Sequence, residues 1–260
     1  RKLIEERSML FGELILERTK EAANFNKLVN KIEKSRSDIE AMDDSKFKID
    51  SIDHKFKELG FEKLKDEKDS QVRILSTAGD MDNSLNDVYL YYDTKTGKYA
   101  FGGNFYWDND DWMDDFRGHC GFYCMQGDVG GTNGFYIASL HKDINTYYEE
   151  FWTLYSDQQT DEEWTNTAST YSSARGYGWE FQDSVIFPNT YNAWGVIGWF
   201  YFDFVDGVPT GETVSFKASY GHTWSTDYIN SISVGPWSFG FSWGTSNHSW
   251  NKDENHVHTF

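Results

Sequence analysis

The hydrophobic pattern of this 260-residue chain changes period near residue 75, from the three-and-four spacing of an amphipathic helix to the alternation of strands. No one regular element accommodates both patterns. Composition breaks at the same place: all 11 Trp and 20 of the 22 Gly follow residue 75, and Phe11, Phe25, Phe47, Phe56 and Phe61 are the only aromatics before it. The spacing predicts an α+β chain in two parts. Residues 1–75 form a helical hairpin or coiled-coil region, and residues 76–260 an acidic, aromatic-rich antiparallel β domain, a sandwich or barrel.

In the first part, Phe11, Ile15, Ala22, Phe25, Val29, Ile32 and Ile39 form one helical stripe, with Arg18 and Arg36 in two of its slots. Asp43, Asp44 and Ser45 interrupt it. A second stripe follows at Ile49, Ile52, Phe56 and Leu59, and Gly60 supplies a helix stop. Two destinations are open to such a hairpin: packing on the domain that follows, or a coiled coil that joins copies of the chain into a homo-oligomer.

Charge separates the parts as sharply. Residues 1–75 hold 17 basic and 17 acidic side chains, so the later residues carry the whole net charge of −18. That balance argues against nucleic acid, whose phosphates call for clustered Lys and Arg, and against anionic membrane surfaces. Cations, neutral glycans and basic protein surfaces are compatible with it.

Strand alternation is clearest in four places. DVYLYYD, the turn TKTG and KYAFGGNFYW read as a hairpin with Thr96 and Gly97 in the turn. Tyr177, Trp179 and Phe181 share a face in GYGWEF. Val214, Phe216, Ala218 and Tyr220 share another, and Trp237, Phe239, Phe241 and Trp243 a third. Each reads as an antiparallel strand with one wet face, and the runs total about nine or ten. The Ser- and Thr-rich stretch 164–176 reads as a long loop or an edge hairpin.

One pattern points to a ligand surface. In GWFYFDFV, Phe200, Phe202 and Phe204 take one face and Trp199, Tyr201 and Asp203 the other, while Val88, Leu90 and Tyr92 oppose Tyr89 and Tyr91. Only one face of a two-layer sheet lies in the core, so Tyr89, Tyr91, Trp199, Tyr201 and Asp203 form either a ligand-binding platform, suited to stacking on sugars, or the seat of the helical hairpin.

Asp108, Asp110, Asp111, Asp114 and Asp115 fall within eight residues, and a hard cation such as calcium would relieve their repulsion; the alternative is a solvated acidic loop. Cys120 and Cys124, the only cysteines, are spaced for a small disulfide loop. His256 and His258 project from one face of a strand but sit at the chain end, and they are not taken as a metal site. Glu149, Glu150, Glu180, Asp183 and Glu212 are eligible for glycoside hydrolysis, with nothing to pair any two of them. No phosphate loop, dinucleotide fingerprint, HExxH or GxSxG occurs.

The expectation is a non-enzymatic binding or structural module that recognises a glycan or protein surface, oligomerises, or does both. A β region rich in Trp, Tyr, Asn, Ser, Thr and Gly with few Lys resembles those of secreted or cell-surface proteins, which implies an extracellular location. A pore-forming toxin is the alternative. It would unfold Thr165–Ser173 into a membrane hairpin, the one reading that calls for a membrane, although this stretch is nearly devoid of apolar residues. A glycoside hydrolase is the weaker alternative.

Overall fold

A computed structural model describes residues 1–29, 33–67, 83–107, 127–128, 131–156, 163–165, 169–186, 190–223, 227–235, 238–244 and 249–260. Helices α1 (Lys2–Val29) and α2 (Arg36–Glu58) come first. The strands are β1 (Phe61–Lys63), β2 (Asn83–Asp93), β3 (Lys98–Trp107), β4 (Gly127–Asp128), β5 (Asn133–Ser139), β6 (Ile144–Ser156), β7 (Glu163–Thr165), β8 (Tyr171–Ser173), β9 (Gly176–Phe181), β10 (Ser184–Ile186), β11 (Thr190–Phe204), β12 (Thr213–Thr223), β13 (Ile229–Gly235), β14 (Ser238–Trp243) and β15 (Ser249–Thr259).

The helix break lies earlier than its sequence suggests. α2 starts at Arg36, and Asp43–Ser45 is inside it, because Ser35 caps the helix: its Oγ accepts from the Asp38 amide while the Asp38 carboxylate accepts from the Ser35 amide. That reciprocal box fixes an N-terminus more strongly than two solvent-facing aspartates end one. The stop at Gly60 stands. Its φ of 86° is open to glycine, and its amide reaches the Lys57 carbonyl at 2.9 Å.

Two antiparallel sheets follow. One runs β1-β2-β3-β11-β10-β4, with β6 also paired to β11 and β7 to β6; the other runs β15-β12-β5-β9-β8. The predicted hairpin is in place, with Asp93 opposite Lys98 and Gly97 in the turn at a φ of 67°. Stretch 164–176 contributes an edge, since β8 pairs with β9 across the Ala174–Arg175 turn. Among the described residues neither sheet closes on itself, and the two share one core, so the chain is α+β with open antiparallel sheets.

The sheets share a core of Leu90, Phe101, Phe105, Phe135, Phe151, Trp179, Phe200, Phe216 and Tyr220. The alternation places these side chains: Phe200 and Phe202 point inward while Trp199 and Tyr201 point to the opposite face. On that opposite face lie the helices. Phe11, Leu14, Ile15, Ile52 and Phe56 pack with Phe61, Tyr89, Tyr91, Trp199 and Tyr201 as a second core. Gly12 lets α1 come this close, because a Cβ there would collide with the Trp199 ring.

Ion pairs pin the helices to the sheet. Arg18 explains its own presence in an apolar stripe: it bonds Asp53 of α2 at 2.6 Å and Asp87 of β2 at 2.9 Å. Arg36 lies outside the seam, exposed and paired with Glu40 at 3.0 Å. Phe11, Ile15, Ile52 and Phe56 of the two stripes are thus buried within the chain, whereas Val29 and Ile39 are exposed.

A third layer covers the outer face of the second sheet. The β13–β14 hairpin packs Ile229, Ile232, Val234 and Phe241 against Tyr136 and Ala138. The wet faces expected for β9 and β12 are therefore partly dry: Gly178, Ser219 and Gly221 are buried, with Ile232 and Phe241 over the two glycines. β15 has no apolar alternation over Asn251–Asn255 and is held by an eleven-residue register to β12, from Thr213 opposite Thr259 to Thr223 opposite Ser249. Among the described residues, no helix is long and apolar enough to cross a membrane.

Candidate functional site

Six buried polar side chains meet at one end of the shared core. Asn133, Asp183, Asn192, His222, Thr223 and Asp227 are all at most 4% exposed. They belong to the start of β5, the β9–β10 corner, the start of β11, the end of β12 and the approach to β13, which meet where both sheets end. Burying such groups costs free energy unless they are bonded, so each must be held in place.

Side chains substitute for missing ladder bonds here. Gln182 and Asp183 carry the chain from one sheet to the other. Asn192 clamps that corner, with Oδ1 accepting from the Ser184 amide at 2.7 Å and Nδ2 donating to the Gln182 carbonyl at 3.2 Å. The Gln182 Nε2 donates to the Asp183 carbonyl at 3.0 Å and to the Gly131 carbonyl at 3.3 Å. Within the second sheet, Asn133 Oδ1 accepts from the Thr223 amide at 2.9 Å, extending the β5–β12 ladder by one bond. Gly131 is obligatory at this junction, since a Cβ would strike the Asp227 carbonyl.

The clamped corner aims Asp183 Oδ2 at His222 Nδ1, 3.9 Å away, with both side chains essentially sealed from solvent. Aromatic rings wall the imidazole. Trp107 meets it edge-on at 5.1 Å, Trp250 lies 5.4 Å away, and Tyr220 is nearly parallel at 6.4 Å. Toward solvent this end presents the half-buried Trp250, whose indole face can stack on C–H surfaces.

The expected platform has a different fate. Tyr89, Tyr91, Trp199 and Tyr201 are at most 2% exposed beneath α1 and α2, so as a surface for ligands this face is closed and serves as the seat of the helices. Tyr201 donates to Asp93 at 2.5 Å. Burial and the neighbouring Asp93 carboxylate push its phenol well above the ordinary range. Asp203 lies on the same face. It accepts from Lys98, from Tyr147 at 2.8 Å and from Asn145 at 3.1 Å. Burial alone would raise its pKa, but these donors outweigh it and hold the carboxyl low.

The other carboxylates are dispersed. Glu180 accepts from Tyr171 at 2.6 Å, and Glu212 pairs with Lys142 at 2.6 Å. Glu149 and Glu150 are neighbours on β6 and so face opposite sides of the sheet; burial raises both. Asp108, Asp110, Asp111, Asp114, Asp115, Cys120 and Cys124 lie outside the described residues. Among the described residues, no group of three or more His, Cys, Asp or Glu is arranged to hold a metal ion.

Sequence reasoning named Asp183 as one acid of five and passed over His222, Asn133 and Asn192. Continuing the β12 alternation one step beyond Tyr220 places His222 on the core side, and that was the available signal.

No protein-family model matches the chain, and no curated protein matches it. Among solved structures it is similar to one described as "AvmM Catalyzes Macrocyclization in Alchivemycin A Biosynthesis", at 12% identity and a TM-score of 0.25, over 63% of this chain and 80% of that one. A likeness at that level says nothing of function.

Proposed function

We propose that the protein is an exported, non-enzymatic binding module that takes a neutral polar ligand of the carbohydrate class at the end of its two sheets. One observation carries the reading: six buried polar side chains meet at one end of the shared core, around Asp183 and His222. Binding sites in such folds commonly use the ends of strands, where loops bring polar groups together. The sheet faces support this by elimination, since the helices, the second sheet and the β13–β14 hairpin each cover one. Trp250, half-buried beside His222, would stack on the sugar ring, with the sealed Asp183 and His222 holding that end of the sheets in place behind it.

The test is binding of the full chain to an immobilised glycan panel, beside Asp183→Asn and Trp250→Ala variants whose melting curves match the parent. Retention of one glycan class that both variants lose supports the reading. Binding to no glycan contradicts it, and release of reducing sugar would move the protein to the glycoside hydrolases.

A further inference from the structure

His256 is a buried titratable group that the site above does not use. It is 1% exposed on β15, and among the described residues the hydrogen-bond acceptor its ring meets is the Val88 backbone. A neutral imidazole is served by one such acceptor, whereas a protonated one needs a second.

Its surroundings form a strap. β15 is the edge strand of its sheet, and residues 64–67 run along the open side of its last residues. The Val257 amide donates to Asp66 Oδ1 at 3.0 Å, the Thr259 amide to Glu67 Oε1 at 3.1 Å, and the Thr259 hydroxyl to Glu67 Oε2 at 2.9 Å. His258 Nδ1 meets the Lys65 carbonyl at 3.0 Å. At its other end the strap is tied to β2, with the Leu64 amide donating to the Leu90 carbonyl at 2.8 Å. Side-chain carboxylates thus do for this edge what a further strand would do, and keep its amides from pairing with another chain.

We propose that His256 is the proton sensor of this strap: taking up a proton from solvent, it releases Asp66 and Glu67 and opens the edge of β15. The charged and titratable groups facing the ring are Asp66 and Lys63, from the segment beginning at β1, and His258 on its own strand. β2 presents Val88, and β12 places Phe216 opposite in the register. An imidazolium in that setting has a second N–H donor that the Val88 backbone does not serve and one nearby anion, Asp66, which is already bonded to Val257. It either draws Asp66 away from the Val257 amide or leaves its pocket for water, and both movements lift the strap.

Burial holds the ring down to about 4 in the closed form, against the opposing pull of Asp66. Opening restores the ordinary value of about 6.5. The closed strap is therefore fully stable above about pH 6.5 and loses stability as the pH falls toward 4. Linkage between those two values raises the opening equilibrium about twentyfold between pH 7 and pH 5.

Amide hydrogen exchange of the full chain, corrected for intrinsic rates, tests this at Val257 and Thr259. The expected result is a loss of protection of about that size in the parent, and no loss over the same range in His256→Asn or His256→Phe, which cannot take up the proton. Using two variants guards against one that fails to fold. Unchanged protection in the parent would overturn the proposal. So would an equal loss in parent and variants, which would assign the effect to the carboxylates.

Discussion

Arg7 of α1 grips Asp93 at the end of β2 with two hydrogen bonds, Nε to Oδ2 at 2.9 Å and Nη2 to Oδ1 at 2.7 Å. The pair is dry, with side chains 10% and 0% exposed, and it lies 86 residues apart in sequence. Asp93 also accepts from Tyr201, the Thr96 hydroxyl and the Lys95 amide, while the Arg7 guanidinium lies 4.0 Å over the Phe61 ring. One carboxylate thereby joins the first helix, the β2–β3 turn and β11.

Breaking this pair from one side strands the other charge. Arg7→Met or Asp93→Asn is expected to cost about 3–5 kcal/mol, read from the urea midpoint, while the double replacement costs less than the sum of the two single changes. An additive double variant would mean that the pair is uncoupled.

The same pair sets an acid limit. Burial alone would raise the Asp93 pKa, but the bonds from Arg7, Tyr201, Lys95 and Thr96 outweigh burial and hold it below the ordinary value. A carboxyl lowered in this way stabilises the fold above its unfolded pKa of about 4, and that contribution disappears as the pH falls through the lower folded value. Stability measured from about pH 5 downward should fall less steeply in Asp93→Asn than in the parent.

Gly12 sets helix propensity against packing. Propensity alone predicts that Gly12→Ala gains about 1 kcal/mol in α1. The Trp199 ring occupies the place of the new methyl group, so the expected outcome is a loss of about 1–3 kcal/mol, seen as a lower melting temperature. A stabilised variant would show that α1 does not sit on Trp199.

The helices are an internal layer, and their removal has a visible consequence. Deleting residues 1–60 uncovers Tyr89, Tyr91, Trp199 and Tyr201 together. A patch of that kind binds hydrophobic dye and aggregates. Light scattering on the full chain should give a single chain of 30.3 kDa, because Phe11, Ile15, Ile52 and Phe56 already lie against the sheet.

Where side-chain period decides structure, the sequence was legible: the split of Phe200 and Phe202 from Trp199 and Tyr201, the Gly97 turn and the Gly60 stop all follow from local rules. What failed needed knowledge of partners. Asp43 and Asp44 look like a break, yet they are tolerated in the middle of α2 because Ser35 had already fixed its start. β15 carries no apolar alternation over Asn251–Asn255, and its order comes from the β12 ladder and the strap. The wet faces of β9 and β12 were hidden by a hairpin whose docking no strand-level pattern reveals. The buried end around Asp183 escaped notice for a related reason: Asn192 and Gln182 fix a corner between sheets, and that corner exists only in three dimensions.

Calorimetric titration of the full chain with the oligosaccharide that the glycan panel retains, alongside Asp183→Asn, tests the account most directly. The account predicts a saturable heat in the parent and an affinity at least about tenfold lower in the folded variant, in which the group behind Trp250 has lost its charge. Equal affinity in parent and variant would contradict it, because the ligand would then lie away from Asp183 and His222.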